Sequence, residues 1–291
     1  MSFRFGTIAL VGRPNAGKST LLNALVGAPI AAVADKPQTT RRQLRGILTT
    51  ESFQAVLVDT PGLHAAKSEL NRRMVAEAEG ALADVDVVAY LADATRPYDD
   101  ELCAKLQGLP VIIGLNKVDL IPVKTVLLPL IEQLAKLGVV VPISAATGDG
   151  LDALQREWAA RLPEGERVYD ADQLTDAPEK QIAAELIREQ VVRRLGQELP
   201  YVTAVEIEKF DETRRELGRV KIYALIVVEK PSQKAIVIGA KGSMIKKIGT
   251  AARQRLETML DCKVDLRLFV AVEKEWTTNP RMLHEFGYTE K

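Results

Sequence analysis

Four short apolar runs punctuate the first half of the chain: Thr7–Val11, Ala55–Val58, Val111–Leu115 and Val139–Ile143. Each is short and bounded by turn-forming residues, so each reads as a buried strand rather than a helix. Ser19–Val26 reads as the first turns of a helix. Strands interleaved with helices predict an α/β domain with a doubly wound, mostly parallel sheet, which takes ligands beyond the carboxyl ends of its strands. From about Gly27 to Arg45 the pattern changes: no helical period, Pro29 and Pro37, and a basic cluster. Residues 166–178 are polar, with Asp170, Asp172 and Asp176, and read as a linker between residues 1–165 and 179–291. After it, Ile182, Leu186, Ile187, Val191 and Leu195 recur at helical spacing until Gly196 and Pro200. Val202–Phe210 alternates as a strand, with Val202, Ala204, Glu206 and Glu208 on one face and Val205 and Ile207 on the other. Asp211–Leu217 is a charged turn, Arg219–Val228 and Val264–Val272 are further strands, and a helix runs from about Ser243 to Leu260. The second half is therefore a smaller α+β domain.

Composition changes this picture little. A chain of 291 residues with 47% hydrophobic and 27% charged residues suits two soluble domains. No apolar run reaches membrane-spanning length, and Met1–Gly6 has no signal-peptide pattern. Cys103 and Cys262 fall in different domains without metal-ligand company and read as reduced thiols. Charge is more informative. Basic and acidic residues balance at 39 each, but residues 179–291 carry 21 basic and 17 acidic side chains. Between Lys230 and Leu256 there are seven basic residues and no acidic one, a pattern suited to a polyanion.

The candidate chemistry sits at the ends of the predicted strands. Gly12-Arg13-Pro14-Asn15-Ala16-Gly17-Lys18-Ser19 follows the first strand and opens the first helix, with Thr20 just beyond. Glycines let this backbone wrap phosphate oxygens, Lys18 bridges the β- and γ-phosphates, and Ser19 offers a hydroxyl to Mg²⁺. Asp59-Thr60-Pro61-Gly62 ends the second strand. There Asp59 would hold Mg²⁺ through water, and the Gly62 N–H would approach the γ-phosphate. Within Gln38-Thr39-Thr40-Arg41-Arg42, Thr40 is the favoured γ-phosphate and Mg²⁺ sensor, ahead of Thr39. Asn116-Lys117-Val118-Asp119 closes the third strand. The carboxylate of Asp119 can accept from N1–H and N2–H₂ of guanine, donors that adenine lacks. The Lys117 stem would lie along the base, and Ser144-Ala145-Ala146 would offer backbone N–H groups to the guanine O6.

Five such elements in this order resemble the translation-factor-related GTPases over residues 1 to about 165. The resemblance implies a P-loop GTPase fold, Mg²⁺, and catalysis by Lys18, Thr40, Asp59 and Gly62. It also exposes a departure. Leu63 stands where a water-orienting glutamine often follows the glycine, so unassisted turnover should be slow. His64, next in line, reads more simply as an exposed residue. In the subfamily whose loop reads G-R-P-N-x-G-K-S, the asparagine, here Asn15, is associated with K⁺ near the phosphates. In the second half, Gly239-Ala240-Lys241-Gly242 and the helix after it, with Lys246 and Lys247, resemble a type II KH domain. That implies RNA passing its backbone over the loop.

One GTPase domain followed by one KH domain resembles the Era family of bacterial ribosome-assembly GTPases, across essentially the whole chain. The tail, with Trp276, Asn279, Pro280, Arg281, Leu283, Phe286, Gly287 and Tyr288, looks alike too; Trp276 reads as packing rather than RNA stacking. The family implies GTP and GDP as ligands, the single-stranded 3′ end of 16S rRNA and the 30S subunit as partners, and a cytoplasmic monomer with weak peripheral contact to the inner membrane. The alternative is a membrane-associated signalling GTPase whose KH domain binds protein. An ATP-using P-loop enzyme and a non-enzymatic adaptor are disfavoured by Asp119 and by the intact Lys18, Ser19 and Asp59.

Overall fold

The structure, a computed structural model, describes residues 2–34, 43–60, 80, 85–196 and 199–286. It divides into two units, the last crossing from the first to the second lying between Asp176 and Ala177.

The first unit is built on a six-stranded sheet. Its strands are β1 (Arg4–Val11), β2 (Leu44–Thr49), β3 (Phe53–Asp59), β4 (Val87–Asp93), β5 (Val111–Asn116) and β6 (Val139–Pro142), in the order β2-β3-β1-β4-β5-β6. Only β2 runs antiparallel to its neighbour. β3, β4 and β5 are buried at every position, because helices cover both faces of a parallel sheet. Among the described residues its helices are α1 (Lys18–Val26), α2 (Asp100–Leu106), α3 (Leu128–Leu134) and α4 (Leu151–Ala159), the last bringing Trp158 fully into the core. β2 and β4 were not evident as strands in the sequence pattern. β2 carries Gly46 where α1 packs close, since a Cβ there would lie 2.6 Å from Leu22 Cδ1.

The polar stretch expected as a linker is hydrogen-bonded to this sheet. Gln54, fully buried on β3, accepts from the N–H groups of Val168 and Tyr169, both at 2.9 Å, and donates to the Tyr169 carbonyl at 3.0 Å. The Ile47 N–H on β2 donates to the Leu174 carbonyl at 2.8 Å, and Thr175 Oγ1 donates to the Arg45 carbonyl at 2.5 Å. These bonds are made by backbone, one hydroxyl and one buried amide. They leave no apolar period to read.

The second unit contains α5 (Glu179–Arg194), β7 (Ala204–Asp211), β8 (Arg219–Val228), α6 (Pro231–Ile238), α7 (Ser243–Leu260), β9 (Lys263–Val272) and α8 (Pro280–Glu285). β7 and β8 pair antiparallel and β8 and β9 parallel. A short helical turn, Leu199–Val202, precedes β7, so the strand starts two residues later than its alternation suggested. Ala204 and Val205 are both buried, and a bulge between Ile207 and Lys209 shifts the register. Trp276 is fully buried: its indole N–H donates to the Val202 carbonyl at 2.9 Å and its ring meets Phe286 edge-on at 5.3 Å. It is a packing residue.

Residues 29–34 also belong to this unit. The Val33 N–H donates to Glu189 Oε2 at 3.3 Å and its carbonyl accepts from Arg193 Nε at 2.7 Å. Glu189 is fully buried on α5 and pairs with Arg193 at 3.1 Å and Arg255 at 3.5 Å.

Candidate functional site

Parallel pairing sets the site. Leu10 of β1 lies beside Asp59 of β3, and Asp93 of β4 lies beside Asn116 of β5, so the carboxyl ends of four strands converge. The phosphate loop leaves β1 through Gly12 (φ 154°), where a Cβ would sit 2.6 Å from the Leu91 carbonyl oxygen. Asn15 (φ 65°) and Gly17 (φ 103°) then take left-handed backbone, turning the loop into the N-terminus of α1. The Lys18 side chain is buried beneath, donating to the carbonyls of Gly12 at 3.2 Å and Arg13 at 3.4 Å. Burial lowers its pKa, against the pull of Asp59. An ammonium held at that desolvation cost, on two long contacts, is suited to gaining phosphate oxygens.

Ser19 Oγ donates to Asp59 Oδ2 at 2.7 Å, and Asp59 is fully buried. A hydroxyl and a carboxylate brought together at a helix N-terminus form a hard oxygen donor pair, which fits Mg²⁺ completed by phosphates and water. Among the described residues no three His, Cys, Asp or Glu side chains gather to hold a metal alone. Thr60 Oγ1 donates to the Leu10 carbonyl at 2.8 Å, which pins the end of β3 to β1. Thr40, Pro61, Gly62, Leu63 and His64 lie outside the described residues.

Asn116 joins the two ends of the site. Its Nδ2 donates to the Ala16 carbonyl of the phosphate loop at 2.7 Å, and its Oδ1 accepts from the Ala145 N–H at 2.9 Å. A Cβ on Gly17 would meet that same Nδ2 at 2.2 Å. Asn116 therefore acts as an internal tie between Ala16 and Ser144-Ala145-Ala146. Lys117 (φ 67°) turns the chain so that Val118 and Asp119 form a short helical turn, with Asp119 exposed. An exposed carboxylate beside a rigid strand end can accept a pair of parallel N–H donors. Ser144 is fully buried and its Oγ accepts from the Thr147 N–H at 3.2 Å, while Ala146 is exposed.

Two carboxylates not singled out from the sequence also face this site. Asp93 ends β4 and accepts from Lys117 Nζ at 2.7 Å. Burial alone would raise its pKa, but hydrogen bonds from Lys117 and Thr95 outweigh it and hold the carboxyl below its usual range. Asp99 caps α2, accepting from the Leu102 N–H at 3.2 Å, and pairs with Arg13. The signal available was the apolar run Val87–Ala92 closed by an acid, the same pattern that marked Asp59.

In the second unit, α6 and α7 are joined by the glycine turn. Gly239 (φ 72°), Lys241 (φ 50°) and Gly242 (φ 77°) have positive φ. A Cβ on Gly239 would lie 2.7 Å from Met244 Cβ, so that glycine serves the turn's own packing. At Gly242 the nearest atom to a Cβ is Ile245 Cγ2, at 4.0 Å, so this position opens outward. Lys241, Lys246 and Lys247 lie on this turn and the start of α7, and Ile236 beside them is 50% exposed. Of the seven basic residues from Lys230 to Leu256, Arg255 turns inward to Glu189. Lys241, Lys246 and Lys247 leave a cationic turn with an apolar neighbour, able to take a phosphodiester backbone and an unstacked base.

These features have relatives. The family model of 50S ribosome-binding GTPases matches residues 7–117, and that of KH domains matches residues 198–277. The GTPase Era of Geobacter metallireducens is 47% identical over 298 residues, spanning 99% of this chain and 98% of its own length. The chain belongs to the Era family. It is accordingly a GTPase, with a P-loop GTPase domain on a mostly parallel sheet followed by a KH domain. The GTPase Era of Azotobacter vinelandii is likewise 47% identical, over 99% of this chain and 97% of its own. Among solved structures, Era in complex with MgGDPNP and nucleotides 1506–1542 of 16S ribosomal RNA has a TM-score of 0.93 at 36% identity, covering 99% of this chain and 100% of that one. A variant of Aquifex aeolicus Era bound to GDP·AlF4⁻ also has a TM-score of 0.93 at 36% identity, with the same coverage. No helix among the described residues is long and apolar enough to cross a membrane.

Proposed function

We infer that this GTPase binds the single-stranded 3′ end of 16S rRNA through its KH domain and assists assembly of the 30S subunit, in the cytoplasm and with weak peripheral contact to the inner membrane. The observation that carries this reading is the end-to-end likeness to Era solved with MgGDPNP and 16S rRNA nucleotides, together with an outward-opening Gly242 beside Lys241, Lys246 and Lys247.

In this reading the residues divide by role. Gly12 to Thr20 surround the phosphates, and Lys18 neutralises charge as the γ-phosphoryl group departs. Ser19, Thr40 and, through water, Asp59 would hold Mg²⁺, which would supply positive charge against the phosphates. Asn15 takes K⁺ beside the phosphates. Thr60, Pro61, Gly62 and Leu63 line the γ-phosphate side, where Leu63 offers water no hydrogen bond, so turnover without a partner is slow. Asn116, Lys117, Val118, Asp119 and Ser144 to Ala146 hold the base. Gly239, Ala240, Lys241, Gly242, Lys246 and Lys247 contact RNA. GTP orders the segment around Thr40 and the loop after Asp59, and this favours the RNA-binding form.

The coupling is tested directly. A labelled oligonucleotide copying the 16S 3′ end should bind more tightly with a non-hydrolysable GTP analogue than with GDP, at fixed near-physiological salt and against a scrambled control. By linkage the RNA must raise GTP affinity relative to GDP by the same factor. Equal binding in both nucleotide states would remove the coupling from this reading.

The lysines make a second prediction. Replacing Lys246 and Lys247 together with Ala should lower the slope of log K against log salt by about 1.4, the loss of two single-strand phosphate contacts. An unchanged slope would take both residues off the RNA path.

A further inference from the structure

The loop leaving β4, residues 93–99, touches both halves of the nucleotide site. At its start Asp93 has a side chain only 5% exposed. One carboxylate oxygen accepts from Lys117 Nζ at 2.7 Å, and the other accepts from the Thr95 N–H at 2.9 Å and Oγ1 at 2.6 Å. Arg96 Nε stands 3.6 Å from the oxygen that holds Lys117. The Ala94 N–H also donates to the Asn116 carbonyl at 2.8 Å, so loop and base-side strand are joined through backbone as well. At its other end Asp99 pairs with Arg13 of the phosphate loop, and its second oxygen is spent on the N-terminus of α2.

Both carboxylates are fixed by local bonds before they reach their basic partners. A pre-positioned carboxylate removes rotamer freedom from the long side chain it holds. For Lys117 this matters, because an ammonium anchored by a fixed carboxylate limits where its stem can lie along a base.

We propose that residues 93–99 act as a brace on nucleotide binding, with Asp93 positioning Lys117 against the guanine base and Asp99 positioning Arg13 and the phosphate loop. Neither acid touches the nucleotide. Each acts through its basic partner, and the two ends of the loop serve different parts of the ligand. The inference rests on assigning Lys117 to the base and Arg13 to the phosphate loop.

The two ends separate experimentally. GDP binding is measured by dissociation of a fluorescent GDP, and phosphate-loop binding alone by competition with pyrophosphate. Asp93→Asn keeps the shape and removes the charge. It should speed GDP dissociation about tenfold, the scale of a lost charge-assisted bond, and leave pyrophosphate competition unchanged. Asp99→Asn should weaken both ligands. A double-mutant cycle then separates positioning from general support. In a Lys117→Met background, Asp93→Asn should change GDP dissociation by less than about twofold, because the partner through which it acts is gone. If Asp93→Asn costs as much in the Lys117→Met background as it does with Lys117 in place, the acid supports the fold and the brace is overturned. If Lys117→Met alone leaves GDP binding intact, the base-side assignment fails instead, and the brace fails with it.

Discussion

Changing Asp119 to Asn is expected to invert the chain's base preference from guanine to xanthine nucleotides. In the proposed base site the carboxylate would accept from N1–H and from the exocyclic amine of guanine, whereas xanthine offers a carbonyl where guanine has the amine. An Asn side chain presents one acceptor and one donor and so matches xanthine. Against guanine, the Asn amide would face another donor and leave desolvated groups unpaired. Sites built on such hydrogen bonds discriminate by about 10⁴-fold, and the preference should move by that order. The surroundings suit a clean test. Asp119 is exposed on a short helical turn that follows Asn116 and Lys117, both held by bonds of their own side chains. Competition between guanosine and xanthosine diphosphates for the Asn variant would decide it. Retained preference for guanine would mean that another group reads the base.

The second large effect is expected at Glu189. Its carboxylate is fully buried and serves Arg193, Arg255 and the Val33 N–H at once. Glu189→Ala strips that charge and leaves Arg193 and Arg255, 47% and 33% exposed, and the Val33 N–H without their shared acceptor. Because water can reach both guanidinium groups, the cost is that of the lost charge-assisted hydrogen bonds, about 1–3 kcal/mol. The urea midpoint for the unit containing residues 177–291 should fall accordingly. Amide exchange at Val33 should rise in the same variant, since Glu189 is the acceptor for its N–H. Glu189→Gln keeps an acceptor for that N–H and loses only the charge, so its cost should be smaller. A loss below about 1 kcal/mol for the Ala variant, the range of an exposed pair, would show that water replaces the carboxylate in this cluster.

What could be read from the sequence was what the local backbone encodes. Gly12 to Ser19 forms its turn from its own φ angles, and Asn116-Lys117-Val118-Asp119 follows a strand that is buried throughout. The second unit's β8, β9 and α7 were legible for a similar reason: each is ten residues or longer with a consistent period. The pairings made over long sequence distances were not legible. Asp93 reaches Lys117 across 24 positions and Asp99 reaches Arg13 across 86, and nothing near either acid names its partner. Glu189 was hidden differently. It lies on a helix whose apolar stripe was read correctly, yet α5 also buries Arg188, Glu189 and Gln190, so a side expected to be wet is dry. Gln54 was overlooked because a polar residue in a strand ordinarily signals solvent, whereas here its amide replaces missing backbone partners for residues 168 and 169.

That strap of chain along β2 has a consequence for self-association. A sheet's outermost strand carries unpaired N–H and C=O groups that can template another chain, the usual opening for aggregation. In the first unit one outer strand, β2, already spends part of its free edge on Leu174 and Thr175. The other, β6, is only four residues long and ends in Pro142, which has no N–H to donate. One end of the sheet is closed by the protein's own polar segment and the other by brevity, so crowded copies of this chain find little free strand there to build upon.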